Sequence, residues 1–289
     1  MYRAEGDGVL NRVDQGTERA AFFRHPQFPA MGLLTARFRR HRYDLHTHPT
    51  YVIALITAGC EAVRVGGRRE MLPAGQVLVV HPEESHDGEA GCAAGWAYRT
   101  FYPPVELMRA VAGELGQAGL PQFGHGAIDD PVLVPMLAAA HRLAELGDRD
   151  EAEGALLVAL RRLILVHGDG GRPGRARLHG GAGRRMAVYR DMIEGDPGGR
   201  FDLAGFAAAV GVTRFQVIRD FRVATGLTPG GFVRDRRVRV ARRLIEGGET
   251  LAGAAAAAGF ADQSHLSRAF RLAQGFTPGA LRESVRGGR

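Results

Sequence analysis

Short apolar runs alternate with turn residues over the first hundred positions. Gly32–Arg39, Tyr51–Ala58, Glu61–Val65, Arg69–Leu72, Gln76–His81 and Trp96–Tyr102 are rich in Val, Ile, Leu and aromatic residues. Gly66-Gly67 and Pro73-Ala74-Gly75 supply turns between them, so the pattern predicts strands of a small sandwich or barrel. From Pro103 the spacing becomes helical over Val105–Gln117, Pro131–Leu146 and Glu151–His167, with Leu156, Leu160 and Leu163 on one stripe. Pro131 suits a first helical position, whereas Pro135 must kink or shorten its helix. Residues 168–183 hold seven Gly and one Pro in sixteen positions and read as a flexible linker. Beyond it, Met186, Tyr189 and Ile193 share a stripe, and helices are predicted over Leu203–Val210, Thr213–Thr225, Pro229–Glu246, Leu251–Ala258 and Gln263–Gln274.

The helical half contains a repeat. Residues 219–230 (RDFRVATGLTPG) and 268–279 (RAFRLAQGFTPG) agree at eight of twelve positions, 49 residues apart. Each copy follows a small-residue helix ending at a glycine, Gly211 or Gly259, where a left-handed residue closes a helix. Thr213 with Gln216 forms a capping box, and Asp262 caps the equivalent helix of the second copy. Ile218 and Phe221, then Leu266 and Phe270, are expected to face inward. Thr228-Pro229 and Thr277-Pro278 each start a further helix. These are two helix-turn-helix units.

Charge sharpens this picture. The 289 residues carry a net charge of +7, every basic residue is Arg, and Gly is abundant at 41. Such a composition is also what a biased genome produces, so its distribution is what counts. Residues 184–289 carry 18 Arg against 10 acids, and the first 183 carry 20 against 21. The excess sits on the repeated half. Long polar side chains at a helix N-terminus reach base edges in the major groove. The faces opposite the apolar stripes carry Arg214, Gln216, Arg219 and Arg222, and then Gln263, Ser264, His265, Ser267 and Arg268. Pro229–Glu246 as one helix spans about 27 Å and could hold two recognition helices about one turn of DNA apart. Arg234, Arg236, Arg237, Arg239, Arg242 and Arg243 along it offer charge to phosphates or to neighbouring acids.

Residues 184–289, and above all GFADQSHLSRAFRLAQGFTPGALR, resemble the double helix-turn-helix domain of AraC/XylS-type transcriptional regulators. The resemblance places Gln263, Ser264, His265 and Arg268 against bases or backbone, with Phe215, Ile218 and Arg219 in the first unit. Ile218 departs from a usually polar position. Gly253 and Ala254 stand where a helix former and a larger aliphatic are usual, and Gly within a helix costs about 1 kcal/mol against Ala.

His46-Thr47-His48 ahead of a strand, the Pro73-Ala74-Gly75 turn, and then His81 and His86 resemble the cupin-like sensor domain of the same regulators. The resemblance implies a pocket for an organic ligand, and His46, His48, Tyr51, His81, His86, Trp96 and Tyr98 are its candidate walls. Alternation puts Trp96 and Tyr98 on one face and Arg99 on the other. A cupin metal site also needs a Glu soon after the His pair and a His three residues past the turn; Tyr51, Val52 and Ile53 and then Leu78 stand there instead. No metal and no cofactor are therefore expected, and His46, His48 and His86 are the residues that would hold a metal. Cys60 and Cys92 lack the clustered setting of a reactive or zinc-binding thiol and read as small buried hydrophobes. No nucleophile elbow, phosphate loop or dinucleotide fingerprint occurs.

The fold expected is α+β. A cupin-like jelly-roll barrel (1–103) and a helical, dimerising segment (104–167) precede the linker (168–183) and an all-α domain of two helix-turn-helix units (184–289). The function expected is a non-enzymatic, cytoplasmic, homodimeric regulator of transcription. It binds double-stranded DNA and a small-molecule effector, contacts RNA polymerase, and by the resemblance is an activator rather than a repressor. No apolar run approaches the ~18 residues of a membrane span. The rivals are a metal-dependent cupin enzyme fused to a DNA-binding domain, and a constitutive regulator with a purely structural barrel.

Overall fold

The computed structural model describes residues 18–124, 126–168 and 181–286. Eight strands form one curled antiparallel sheet: β1 (Arg19–Arg24), β2 (Gly32–Phe38), β3 (Arg42–His46), β4 (Val52–Val65), β5 (Arg68–Pro73), β6 (Val77–Val80), β7 (His86–Ala90) and β8 (Trp96–Tyr102). The order is β1-β2-β8-β4-β7-β3, with β5 and β6 also paired to β4. The two runs expected on either side of Ala58 are one strand, since the ladder from β4 to β8 continues through an irregularity between Ile56 and Ala58. Gly59, at φ +69°, is needed just beyond it, because a Cβ there would strike the Gly95 carbonyl. β1, β3 and β7 were not predicted. Arg-Tyr-Asp-Leu-His and His-Asp-Gly-Glu-Ala have too few apolar residues to announce a strand.

Three helices, α1 (Val105–Glu114), α2 (Leu133–Leu146) and α3 (Arg149–His167), cover the outer face. Pro131 lies outside α2 and Pro135 falls in its first turn, where no intrahelical N–H is required. The helix is shortened rather than kinked, and the Asp130 carboxylate accepts from the N–H groups of Val132 and Leu133, both at 2.9 Å. On the sheet, Leu33, Ile53, Leu55 and Phe101 pack outward under these helices. Leu34, Phe38, Val52, Ile56, Trp96 and Tyr98 pack inward. Both faces are covered, so several strands read as nearly continuous apolar runs.

The second domain is all helical: α4 (Gly181–Gly195), α5 (Leu203–Val210), α6 (Arg214–Thr225), α7 (Pro229–Glu246), α8 (Leu251–Ala257), α9 (Gln263–Gln274) and α10 (Pro278–Arg286). Of the expected linker, Gly168 caps α3, Gly181–Gly183 begin α4, and 169–180 lie outside the described residues. Asp202, Thr213, Thr228, Thr250 and Asp262 all accept a backbone N–H as N-caps, and Gly211 and Gly259 are left-handed. On α6, Val217 and Phe221 are buried while Ile218 is only half-buried, so the apolar stripe lies one residue from where it was expected.

α7 ties the domain together. Its Phe232 and Val233 belong to the core of the first unit, with Met186, Tyr189 and Phe206. Its Val238, Ala241 and Ile245 share a core with the second unit and with the barrel interior. The Phe22 ring of β1 stacks on Phe276 at 4.4 Å and 13°, joining sheet and second unit directly.

The first unit is pinned by Asp220, a buried carboxylate that accepts from Arg185 at 2.6 and 2.9 Å and from Gln216 at 2.8 Å. Arg185 holds this carboxyl below its ordinary value, against the upward pull of burial and with help from Gln216. Removing the carboxylate leaves the Arg185 guanidinium without its main partner. Asp220→Ala is expected to lower unfolding free energy by about 1–3 kcal/mol in urea at neutral pH. A group with a depressed folded pKa stabilises above its unfolded value and loses that contribution as pH falls through the folded one. The gap between wild type and variant should therefore narrow below about pH 4.

Candidate functional site

The two recognition helices present their N-terminal halves to solvent. Arg214, Phe215, Arg219 and Arg222 on α6, and Gln263, Ser264, His265 and Arg268 on α9, are exposed. Gln216 is diverted to Asp220 and Ser267 is half-buried, so neither offers the free side chain expected of it. Phe215 is 85% exposed, and a Phe that reaches the major groove can make apolar contact with thymine methyls. The His265 ring stands edge-on to Phe260 at 5.2 Å, which sets its direction.

The C-terminal ends of both helices rest on the barrel. Gly226 and Gly275 cap α6 and α9 in left-handed conformations. A Cβ on Gly226 would strike Ser85, and one on Gly275 would strike the Tyr43 hydroxyl. The paired glycines of the sequence repeat are thus domain contacts as well as caps.

Most α7 arginines face acids and carbonyls, not open solvent. Arg239 and Arg236 donate to Glu83 at 2.6 and 2.8 Å, and Arg234 pairs with Asp44 at 3.2 Å. Arg237 donates to the carbonyls of Pro197 and Gly199, and Arg242 bonds Glu246 at 3.0 Å. Burial raises the Glu83 pKa, but the two guanidiniums outweigh it and hold the group ionised. At the centre, the buried Asp235 carboxylate accepts from the Thr47 N–H at 3.1 Å and its hydroxyl at 2.7 Å. Thr47 also accepts from Arg239.

Thr47 separates the two histidines of the candidate pocket. His46, His48 and His86 are buried, and one ring nitrogen of each lies within 4.8 Å of the others. The Nε2 atoms of His46 and His48 are 3.1 Å apart. Nδ1 of His46 donates to the Asp44 carbonyl at 2.7 Å, and Nδ1 of His86 to that of Glu84 at 3.1 Å. Burial first, with neighbouring charge, depresses all three: His46 to about 4, His86 to about 3, and His48 well below its ordinary value. The rings are neutral. Tyr43, Glu61, Tyr98 and Tyr102 share the cavity, which holds only about 40 Å³. Burial pushes Glu61 up to about 8.

Three candidate pocket residues lie elsewhere. Tyr51 is buried on the outer face, its hydroxyl donating to the Pro121 carbonyl at 2.8 Å. His81 pairs with Glu84 at 3.0 Å and accepts from the Phe123 N–H. Trp96 packs in the inner core against Phe38 and Tyr98, outside the cavity lining. Arg99 points outward to Glu145 and His141, as alternation requires. Cys92 is exposed and Cys60 half-buried, so neither is a core residue. Tyr43 and Glu61 were missed, because only the pairing of β3 and β4 with β7 carries them to the histidines; Tyr102 lies on the Tyr98 face of β8, where alternation could have found it.

A second, larger cavity of about 580 Å³ lies between barrel and helical domain. Arg24, Thr47, His48, Tyr102, Arg239 and Arg243 are among its walls.

A sheet capped by paired recognition helices, whose reading ends stay exposed, defines a two-domain DNA-binding transcriptional regulator. The AraC-like ligand-binding domain profile matches residues 28–163, and a helix-turn-helix domain profile matches 206–284. An uncharacterized HTH-type transcriptional regulator of Bacillus subtilis (strain 168), YbfI, is 23% identical over 246 residues, 82% of this chain and 87% of the relative. An apo point variant of ToxT from Vibrio cholerae strain SCE256 superposes with a TM-score of 0.53 at 10% identity, over 93% of this chain and 97% of that one. Wild-type ToxT of the same strain, solved bound to an unsaturated fatty acid, gives 0.52 at 10% identity over 94% and 96%. The chain belongs to the AraC/XylS family of transcriptional regulators.

Arg268→Ala should weaken binding to a cognate site by about 1–3 kcal/mol if Arg268 reads a base. Fluorescence anisotropy against cognate and scrambled duplexes measures this, and unchanged sequence preference refutes that role. Phe215→Ala should reduce cognate affinity while leaving the thermal midpoint within about 1 °C, since an exposed side chain contributes little to stability.

Proposed function

We propose that this regulator senses a small acidic effector in the cavity between its domains. The carrying observation is the lining. Glu83 is occupied by Arg236 and Arg239, and Glu246 by Arg24 and Arg242. Arg243 lines the same cavity and remains exposed. Guanidinium-rich walls favour a carboxylate or phosphate, and about 580 Å³ suits an organic molecule. ToxT bound to a fatty acid supports the carboxylate. The barrel cavity at about 40 Å³ has room for little more than a water or an ion. The organic ligand is therefore assigned to the interdomain cavity, with His48 and Tyr102 shared between the two.

An effector there touches both domains, so it binds the docked and undocked arrangements differently and shifts their populations. Activation through RNA polymerase, a cytoplasmic location and a non-enzymatic role complete the reading. No helix among the described residues is long and apolar enough to cross a membrane. Homodimerisation is supported by Val158, Leu165 and Val166, exposed apolar residues of α3.

The test is a thermal-shift and DNA-affinity screen of carboxylic acids on the full chain. A ligand at 100 times its Kd should stabilise by about 2.7 kcal/mol. Arg243→Ala should weaken that ligand about 10-fold without lowering stability. A screen in which no acid moves either the midpoint or the DNA affinity overturns the proposal.

A further inference from the structure

We propose that Cys60 and Cys92 are a peroxide-responsive thiol pair that closes into a disulfide within one chain. They are the two cysteines of the sequence, far apart along it, and the fold brings them to one place on the barrel. Neither lines the two cavities described above.

The connection from β7 to β8, residues 91–95, closes on Cys60 from both ends. The Gly91 N–H donates to the Cys60 carbonyl at 2.8 Å, and the Cys60 N–H donates to the Gly95 carbonyl at 3.1 Å. The Cys92 thiol donates to that same Gly95 carbonyl, its sulfur 3.5 Å away. The Cys60 sulfur in turn faces the connection, since a Cβ on Gly91 would come within 3.0 Å of it. Glycine at this position keeps the space between the strands open for a sulfur. Burial, and after it the neighbouring Cys92, hold the Cys60 thiol above its ordinary value, which places the two thiols within range of each other. Gly91 continues the ladder in which Ala90 faces Glu61, so Cys92 is one step past the partner of Cys60. In ideal antiparallel pairing, residues so related lie about 6.5 Å apart at Cα, within the span a disulfide joins.

Exposure sets the order of events. Cys92 is exposed and Cys60 half-buried, so an oxidant meets Cys92 first. The Cys92 thiolate attacks one oxygen of the peroxide. A sulfur–oxygen bond forms as the oxygen–oxygen bond breaks, and the hydroxide that leaves is protonated to water. The Cys60 thiol then gives up its proton, and its sulfur displaces hydroxide from the Cys92 sulfenic acid, giving the disulfide and a second water. Each sulfur loses one electron and the peroxide gains two. A thiol reductant reverses the bond. In a reducing compartment such a bond is transient and reports oxidant.

The same connection leads to the DNA-binding domain. The Arg39 guanidinium donates to the Ala93 carbonyl at 3.2 Å. The N–H groups of Arg39, Arg40 and His41 converge on Glu18, which pairs with Arg271 of α9 at 3.7 Å. Drawing residues 91–95 toward β4 therefore moves a support of the second recognition helix. Neither the bond nor this coupling depends on the effector assignment.

The experiment uses the full chain, reduced with dithiothreitol, freed of it and exposed to hydrogen peroxide. Wild type should lose both thiols. Tryptic peptides 43–64 and 70–99 should be recovered joined, and should separate when dithiothreitol is added back. Cys60→Ser should stop at a Cys92 sulfenic acid that dimedone labels. Cys92→Ser should lose its remaining thiol about 10-fold more slowly than wild type loses its first. Thiols that persist in wild type, over-oxidation without a joined peptide, or a bond formed only between chains overturns the site, whether or not the variants fold. A Cys92→Ser thiol that reacts as fast as wild type overturns the order of attack. DNA affinity is then compared between reduced and oxidised protein. A change of about 3-fold or more that Cys92→Ser does not show supports the coupling. Fully joined protein with a smaller change overturns the coupling alone.

Discussion

One buried carboxylate organises the molecule. Asp235 sits inside the domain interface and takes both donors of Thr47. An anion removed from water must be satisfied by hydrogen bonds or it destabilises its surroundings. The protein satisfies it across the domain boundary, so α7 and the barrel rim are set against each other at one point. Arg239 and Glu83 extend the same network, and Phe22 on Phe276 adds an apolar contact at the other end of the helical domain. Because α7 also spans the cores of both helix-turn-helix units, the placement of each recognition helix is referred to the barrel.

The arginine excess acquires a different meaning in this setting. Six arginines on α7 suggested a phosphate-binding helix, but in the docked arrangement most face acids or carbonyls. The charge available to DNA lies mainly on the exposed halves of α6 and α9. The barrel's nearly neutral balance is spent in part on this interface, through Asp44 and Glu83. An effector in the Arg-lined cavity would act on this same interface.

The second domain was the more legible in the sequence, for a physical reason. Caps, left-handed glycines and helical stripes are set by neighbours within a few residues, so Thr213, Thr228, Asp262, Gly211 and Gly259 could be read directly. The barrel was less legible. Its polar strands β3 and β7 exist because distant partners complete their ladders, and nothing local in Arg42–His46 or His86–Ala90 demands them. Tyr51 looked like a pocket residue because it stands near the histidine pair in sequence, and His81 because it follows the Pro73-Ala74-Gly75 turn. A strand's period of two sends one neighbour inward and the next outward, and the register sent Tyr51 to the outer helices.

The sequence by itself determined the two-part organisation and the paired helix-turn-helix units, since repeat, capping and charge distribution are properties of the chain. Only the tertiary structure decided which histidines converge, where a cavity opens and which arginines remain free for DNA. Those depend on strand register and on how one domain covers the other. Contacts such as Thr47 with Asp235 join residues 188 positions apart, and no local pattern encodes them.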